Sequence, residues 1–207
     1  MQHTRSSNQS KRNREAAILE AACAVIREKG FHQARIIDIS RRAGISYGLV
    51  YHYFRSKADL FEAITRAWWD GIYSTIDSCK TRASAIEDRL GIIVNHFLNL
   101  YDERPNLVHV FITEISRSSA NLTPAGLAFF KRFFDKTEGI MAQAQSAGTL
   151  RSDVRARYLT YIFLGSLESF LSTMVLENQP FTGPAQKKRI AGGLLEVFFN
   201  GAGSRQG

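Results

Sequence analysis

Apolar residues in this chain recur at intervals of three and four, and that period confines it to helices. After Arg14 they fall at Ala17, Ile18, Ala21, Ala22, Val25 and Ile26, one face of a helix that Gly30 is placed to end. IIDISRRA, residues 36–43, predicts a short second helix with Ile36, Ile39 and Ala43 inward, broken at Gly44. Ser46 is placed to cap a third, Tyr47 to Tyr53, and Ser56 a fourth. Asp59 falls in the first turn of the fourth, where the helix dipole favours negative charge. The same period predicts further helices at about 84–102, 105–118, 123–147, 153–178 and 184–200, punctuated by Pro105, Pro124, Gly148, Pro180 and Pro184. No segment alternates as a strand does: Ile36-Ile37 and Ile92-Ile93 sit inside helical patterns. The expected fold is all-α.

Charge divides the chain unevenly. Residues 1–57 carry eleven Lys/Arg against four Asp/Glu, and residues 58–207 sixteen against fifteen, so the excess of +8 is concentrated in the first quarter. A basic end on a nearly neutral body points to a polyanion, nucleic acid before membrane. The polar stretch MQHTRSSNQSKRN has no apolar segment of a secretory signal, and residues 1–11 read as a flexible basic arm. Cys23 and Cys79 match neither a metal spacing nor a disulfide framework and read as reduced thiols of a cytoplasmic protein. Between Arg157 and Glu177 lie nineteen residues with the single charge Glu168, a length that fits a bilayer. A central carboxylate among Ser and Thr is costly in lipid, so a helix packed on other helices, with no membrane partner, is the expectation.

The stretch AGISYGLVYHYFRSKADLF, residues 43–61, crowds Tyr47, Tyr51, His52, Tyr53 and Phe54 into eight residues. At 100° per residue Val50 and Phe54 share one side and join Ile39, Ala43 and Ile45 in a small core. Gly48 and His52 fall opposite, Tyr51 on one flank, Leu49 and Tyr53 on the other, with Arg41, Arg42, Arg55 and Lys57 around them. A helix, a glycine turn and a second short helix have the dimensions of a helix-turn-helix. Such a face suits a groove: a glycine permits close approach, hydroxyls and imidazole bond phosphates or base edges, and leucine and ring edges meet thymine methyls.

The run GFHQARIIDISRRAGISYGLVYHYFRSKADLF resembles the N-terminal DNA-binding domain of TetR-type transcriptional regulators, over about residues 12–72. The resemblance implies a helix-turn-helix at 35–54 with Tyr47 to Tyr53 as recognition helix. It places Tyr47 and Gly48 at the bases, and Leu49 where the family often has threonine. Tyr51, Tyr53 and Lys57 match phosphate-contacting positions. Ala34 and Arg35 replace a common threonine-serine cap, which leaves Arg35 free to meet phosphate, and Ile37 stands where a polar residue is usual. The expected DNA-facing set is therefore Arg35, Ser46, Tyr47, Gly48, Leu49, Tyr51, His52, Tyr53 and Lys57.

By the same resemblance residues 73–207 form a helical ligand-binding and dimerisation domain. Helices 153–178 and 184–200 are the expected homodimer elements. One stripe is Leu159, Ile162, Phe163, Ser166, Phe170, Thr173 and Met174; the other is Ile190, Leu194, Val197 and Phe198. A twofold dimer reads a near-palindromic operator. Phe97, Phe111, Phe130 and Phe134, with the polar His109, Glu114 and Arg117, are candidates to line a site for a small apolar or amphipathic effector. The YHYF run echoes fatty acyl-CoA-responsive members. Arg117, Arg132 and Lys136 would then meet an acidic head group. There is no nucleophile elbow, H-E-x-x-H, phosphate-cradling glycine loop or cysteine-histidine metal spacing, so no catalytic residue, metal or cofactor is expected. The expected function is a repressor released from its operator by that effector.

Overall fold

The structure is a computed structural model that describes the backbone of residues 2–82, 85–116 and 124–203, and the side chains of 9–79, 85–116 and 124–203. Arg117 lies outside the described residues. The helices are α1 (Gln2–Gln33), α2 (Ile36–Ala43), α3 (Tyr47–Tyr53), α4 (Lys57–Arg82), α5 (Ile86–Glu103), α6 (Pro105–Val110), α7 (Pro124–Ser146), α8 (Ala156–Leu176) and α9 (Pro184–Ala202). A π-helical turn, Phe111–Ser116, follows α6 directly, so the single helix predicted over 105–118 is an α and a π segment in series. Among the described residues the only β pairing is the isolated bridge between Leu150 and Gly203. The basic N-terminal stretch, expected as a loose arm, is drawn into α1, whose backbone is helical from Gln2.

The chain packs as two compact units, Met1–Trp68 with Pro105–Asn121, and Trp69–Arg104 with Leu122–Gly207. That division departs from a linear boundary at residue 72: α6 and the π turn belong with the N-terminal helices.

In the first unit α1 packs on α2 and α6, and α2 on α3. Ile18, Ala22, Ile26, Ile39, Val50, Phe54, Leu60 and Ile64 are buried together with Leu107, Val108 and Phe111. Trp68 stacks on Phe111 with ring centroids 3.9 Å apart. Polar bonds hold α6 against α1: Arg27 donates to Asn106 at 3.1 Å, and Asn106 donates to Glu20 at 3.2 Å. Gly30 interrupts α1 with φ 75°, ψ 158°, a left-handed φ that a side chain would strain. Just past it, the Phe31 N–H donates to Glu114 of the π turn at 3.4 Å.

In the second unit α7 packs on α8, and α9 on α5 and α8. Its core includes Trp69, Ile72, Ile76, Leu90, Ile93, Phe97, Phe133, Ile140, Met141, Leu159, Phe163 and Leu167. The Tyr73 hydroxyl donates to the Phe129 carbonyl at 2.7 Å. Helix α8 is long and apolar enough to cross a membrane by length and composition, yet half of its most apolar window is buried in the protein. Its half-buried Glu168 accepts from Ser172 at 2.7 Å.

Candidate nucleic-acid interface

The first unit builds a seat for α3. Gly44 ends α2 in the left-handed region (φ 66°, ψ 30°), and its N–H closes the turn on Arg41 and Ser40 carbonyls. The Ser46 hydroxyl then accepts from the Leu49 N–H at 3.3 Å and caps α3. A seven-residue helix cannot hold itself together in water. It persists because Val50 is fully buried and Phe54, at its end, nearly so. Downstream, Ser56 accepts from the Asp59 N–H at 3.0 Å and Asp59 accepts from the Arg55 N–H at 2.9 Å, reciprocal caps on the start of α4.

Of the expected set, Arg35, Ser46, Tyr47, Gly48, Tyr51 and His52 are exposed, and Leu49, Tyr53 and Lys57 are half-buried. Tyr47 is 48% and Tyr51 42% exposed. The half-buried Leu49 and Tyr53 share one flank of the helix. The Tyr47 and Tyr51 hydroxyls are 3.2 Å apart and their rings meet edge to face at 5.1 Å. That bond is the first cause holding the Tyr51 hydroxyl protonated above the ordinary phenol range. His52 stands edge to face on Tyr53 at 5.6 Å. A Cβ added at Gly48 would meet no protein atom within 4 Å.

Cations cluster on the elements before α3. Arg35 occupies the N-cap of α2 with no side-chain cap bond, the consequence anticipated from the missing threonine-serine cap. Arg41 is largely exposed and lies 3.7 Å from Asp38, which Lys29 engages at 2.9 Å. The Lys29 hydrogen bond leads the causes that hold the Asp38 carboxyl below its ordinary range. Lys29, His32, Arg35, Asp38 and Arg41 line a polar cleft of about 830 Å³. Arg42 is committed to Glu28 at 2.5 Å.

Lys57 is placed differently from its expected role as a phosphate contact. Its Nζ donates to the carbonyls of Phe31, His32 and Ala34 at 3.0, 3.0 and 3.2 Å, and lies 4.7 Å from the centre of the Phe31 ring. Its three N–H groups are spent on the end of α1, where unfilled helix carbonyls attract a cation. Lys57 thereby ties the start of α4 to the backbone at the end of α1.

The candidate effector residues fall in both units. His109, Phe111 and Glu114 belong to the first unit, where Phe111 stacks on Trp68 and Glu114 accepts from Phe31. Burial lowers the His109 pKa, with Arg27 adding to the effect and Glu114 opposing it. Phe97, Phe130 and Phe134 belong to the second unit. There Trp69 contacts Phe130 at 4.8 Å and Phe133 at 5.7 Å between centroids, and Phe97 meets Phe133 at 6.1 Å. Phe134 packs edge to face on Tyr161 at 5.5 Å. Lys136 pairs with Asp77, and Arg132 lies 4.4 Å from the Tyr73 ring centre, so both cations already have partners.

The expected dimer stripes are split as well. Leu159, Phe163 and Met174 are buried within the second unit, while Ile162, 59% exposed, and Val197, 76% exposed, point outward with Ser166. Between α8 and α9 an apolar groove of about 470 Å³ is lined by Leu159, Ile162, Ser166, Leu194, Val197 and Phe198, among others.

Sequence comparison decides what this arrangement is. Residues 18–64 match the bacterial regulatory proteins of the tetR family, and residues 70–196, more than half the chain, match the YsiA-like protein C-terminal region. The chain belongs to the TetR family. It is 22% identical over 191 residues to the fatty acid metabolism regulator protein of Bacillus subtilis strain 168, which covers 92% of this chain and 96% of that one. The fold is shared with a transcriptional regulator FadR from Bacillus subtilis in complex with stearoyl-CoA (TM-score 0.75, 21% identity, 90% of this chain and 98% of that one). It is also shared with AibR in complex with isovaleryl coenzyme A and operator DNA (TM-score 0.70, 21% identity, 89% and 97%). TetR-family proteins of this kind are transcription regulators, not enzymes, and α2, the Gly44 turn and α3 are this chain's helix-turn-helix.

Proposed function

We propose that the chain is a cytoplasmic operator-binding repressor, a homodimer released from a near-palindromic site by a small amphipathic effector of the fatty acyl-CoA class. The observation that carries the reading is the outward face of α3: Tyr47, Gly48, Tyr51 and His52 exposed over a buried Val50, with Arg35, Arg41 and Arg55 exposed on the flanking segments. In this reading Arg35, Arg41 and Arg55 neutralise phosphates, Tyr51, Tyr53 and His52 bond the backbone, and Tyr47, Gly48 and Leu49 approach the base edges. Ser46 and Lys57 hold α3 and its support in place. The α8–α9 groove accepts the same groove of a second copy, and the protruding Ile162 and Val197 fill it.

The effector class is supported by the two solved relatives bound to stearoyl-CoA and isovaleryl coenzyme A, and by the aromatic cluster around Phe97, Phe130 and Phe133 in the second unit. Helix α4 carries residues of both units and is the route by which occupancy reaches α3. A coupling of about 1–3 kcal/mol lowers operator affinity roughly 5- to 150-fold.

The test is footprinting on the DNA flanking the gene, repeated with stearoyl-CoA, isovaleryl coenzyme A, stearate and free coenzyme A. Protection of a near-palindrome, lost with an acyl-CoA and kept with free coenzyme A, is expected. Protection indifferent to every acyl-CoA overturns the effector class; no protected sequence overturns the regulator reading.

A further inference from the structure

Helix α3 reads YGLVYHY and carries no Arg, Lys, Asn or Gln. Those are the side chains that make bidentate bonds to guanine or adenine in the major groove. Its outward groups are instead two phenol rings, a half-buried leucine, an imidazole and a glycine. The Tyr47 and Tyr51 hydroxyls lie 3.2 Å apart and their rings meet at 5.1 Å, so each ring fixes the other. The pair therefore presents ring carbon on the exposed face beside its two meeting hydroxyls. Gly48 opens the way beside it: its missing Cβ would touch nothing in the protein within 4 Å, so packing does not demand glycine there. Glycine inside a helix is unfavourable relative to alanine. A bare backbone at that point gives an incoming base edge room that a side chain would take.

The one base-edge group that an apolar surface recognises is the thymine 5-methyl. Resting on the DNA-binding reading above, we propose that α3 selects its operator by packing Tyr47 and Leu49 against thymine methyls, with guanine contacts secondary. Arg35, Arg41 and Arg55 supply affinity without sequence, and the methyl contacts supply the choice of site.

The experiment selects preferred duplexes from random DNA with the full-length protein. Each thymine of the enriched site is then replaced by deoxyuridine, which removes only the methyl. Affinity is measured by fluorescence anisotropy for the wild type, Tyr47→Ala and Leu49→Ala, with circular dichroism as a check on folding. Symmetry-related thymines in each half-site are expected to lose about three- to fourfold in affinity per methyl removed. That loss disappears in Tyr47→Ala or Leu49→Ala, which no longer distinguish thymine from uracil at the position they touch. An enriched site indifferent to every thymine-to-uracil change overturns the inference and leaves DNA binding standing. So does a penalty that persists unchanged in both variants. Failure to enrich any sequence overturns the DNA-binding reading and this inference with it.

Discussion

At the scale of single residues, Lys57 separates two roles that a sequence motif merges. A lysine at the start of a helix beside a DNA-binding face has the chemistry of a phosphate contact. Here its ammonium instead closes the end of α1 through three carbonyls and sits against the Phe31 ring. Lys57→Ala is expected to lower stability by about 1.5–3 kcal/mol, the usual worth of hydrogen bonds to a charged group. It should also leave the salt dependence of DNA binding unchanged. A chemical melt together with affinity measured across salt concentrations checks both parts. A shallower salt slope with unaltered stability would mean that Lys57 neutralises a phosphate after all.

At the scale of elements, His96 of α5 faces Thr75 of α4, with Nδ1 3.0 Å from the Thr75 hydroxyl. The Thr75 hydroxyl also donates to the Gly71 carbonyl at 3.0 Å. The His96 Nε2 is buried without a hydrogen-bond partner among the described residues. Burial lowers the His96 pKa below its ordinary 6.5, and Glu103 opposes the shift. The unfolded chain then binds protons at a pH where the folded one does not. The stability due to this ring is complete above about pH 6.5 and is lost as pH falls through that value towards the folded pKa. Thermal melts should show a falling Tm below that point, and His96→Asn should flatten the fall. An identical pH profile in the variant would contradict this account of the α4–α5 contact.

Much at this scale was legible in the sequence. Val50, Phe54 and Ile39 were readable as α3's anchor because period alone puts them on one side, and the Gly44 turn and the Ser46 and Ser56 caps follow from backbone chemistry within four residues. What was not legible depends on distant partners. Lys57 finds carbonyls more than twenty residues upstream. Phe111 and Glu114 find partners in Trp68 and Phe31, far away in the sequence. In α8 apolar residues occupy several sides, so period could not sort buried Leu159, Phe163 and Met174 from outward Ile162.

At the scale of the whole molecule, the reading requires two copies. Val197 stands out from α9 at 76% exposure beside the α8–α9 groove, and nothing among the described residues covers it. Val197→Glu is expected to turn a dimer into a monomer in sedimentation experiments without lowering the helical signal. Operator affinity should fall by an order of magnitude or more, as one half-site contact replaces two. A variant that remains dimeric places the interface elsewhere.

The most direct test of the central claim, that the open face of α3 enters a DNA groove, is made at Gly48. A Cβ there meets no protein atom within 4 Å and leucine is the better helix former, so Gly48→Leu should fold normally and be no less stable than the wild type. Measured by anisotropy on the footprinted operator, it should lose most specific binding, because the added side chain occupies the room a base edge needs. Wild-type affinity in a folded Gly48→Leu dimer would show that DNA does not approach this face.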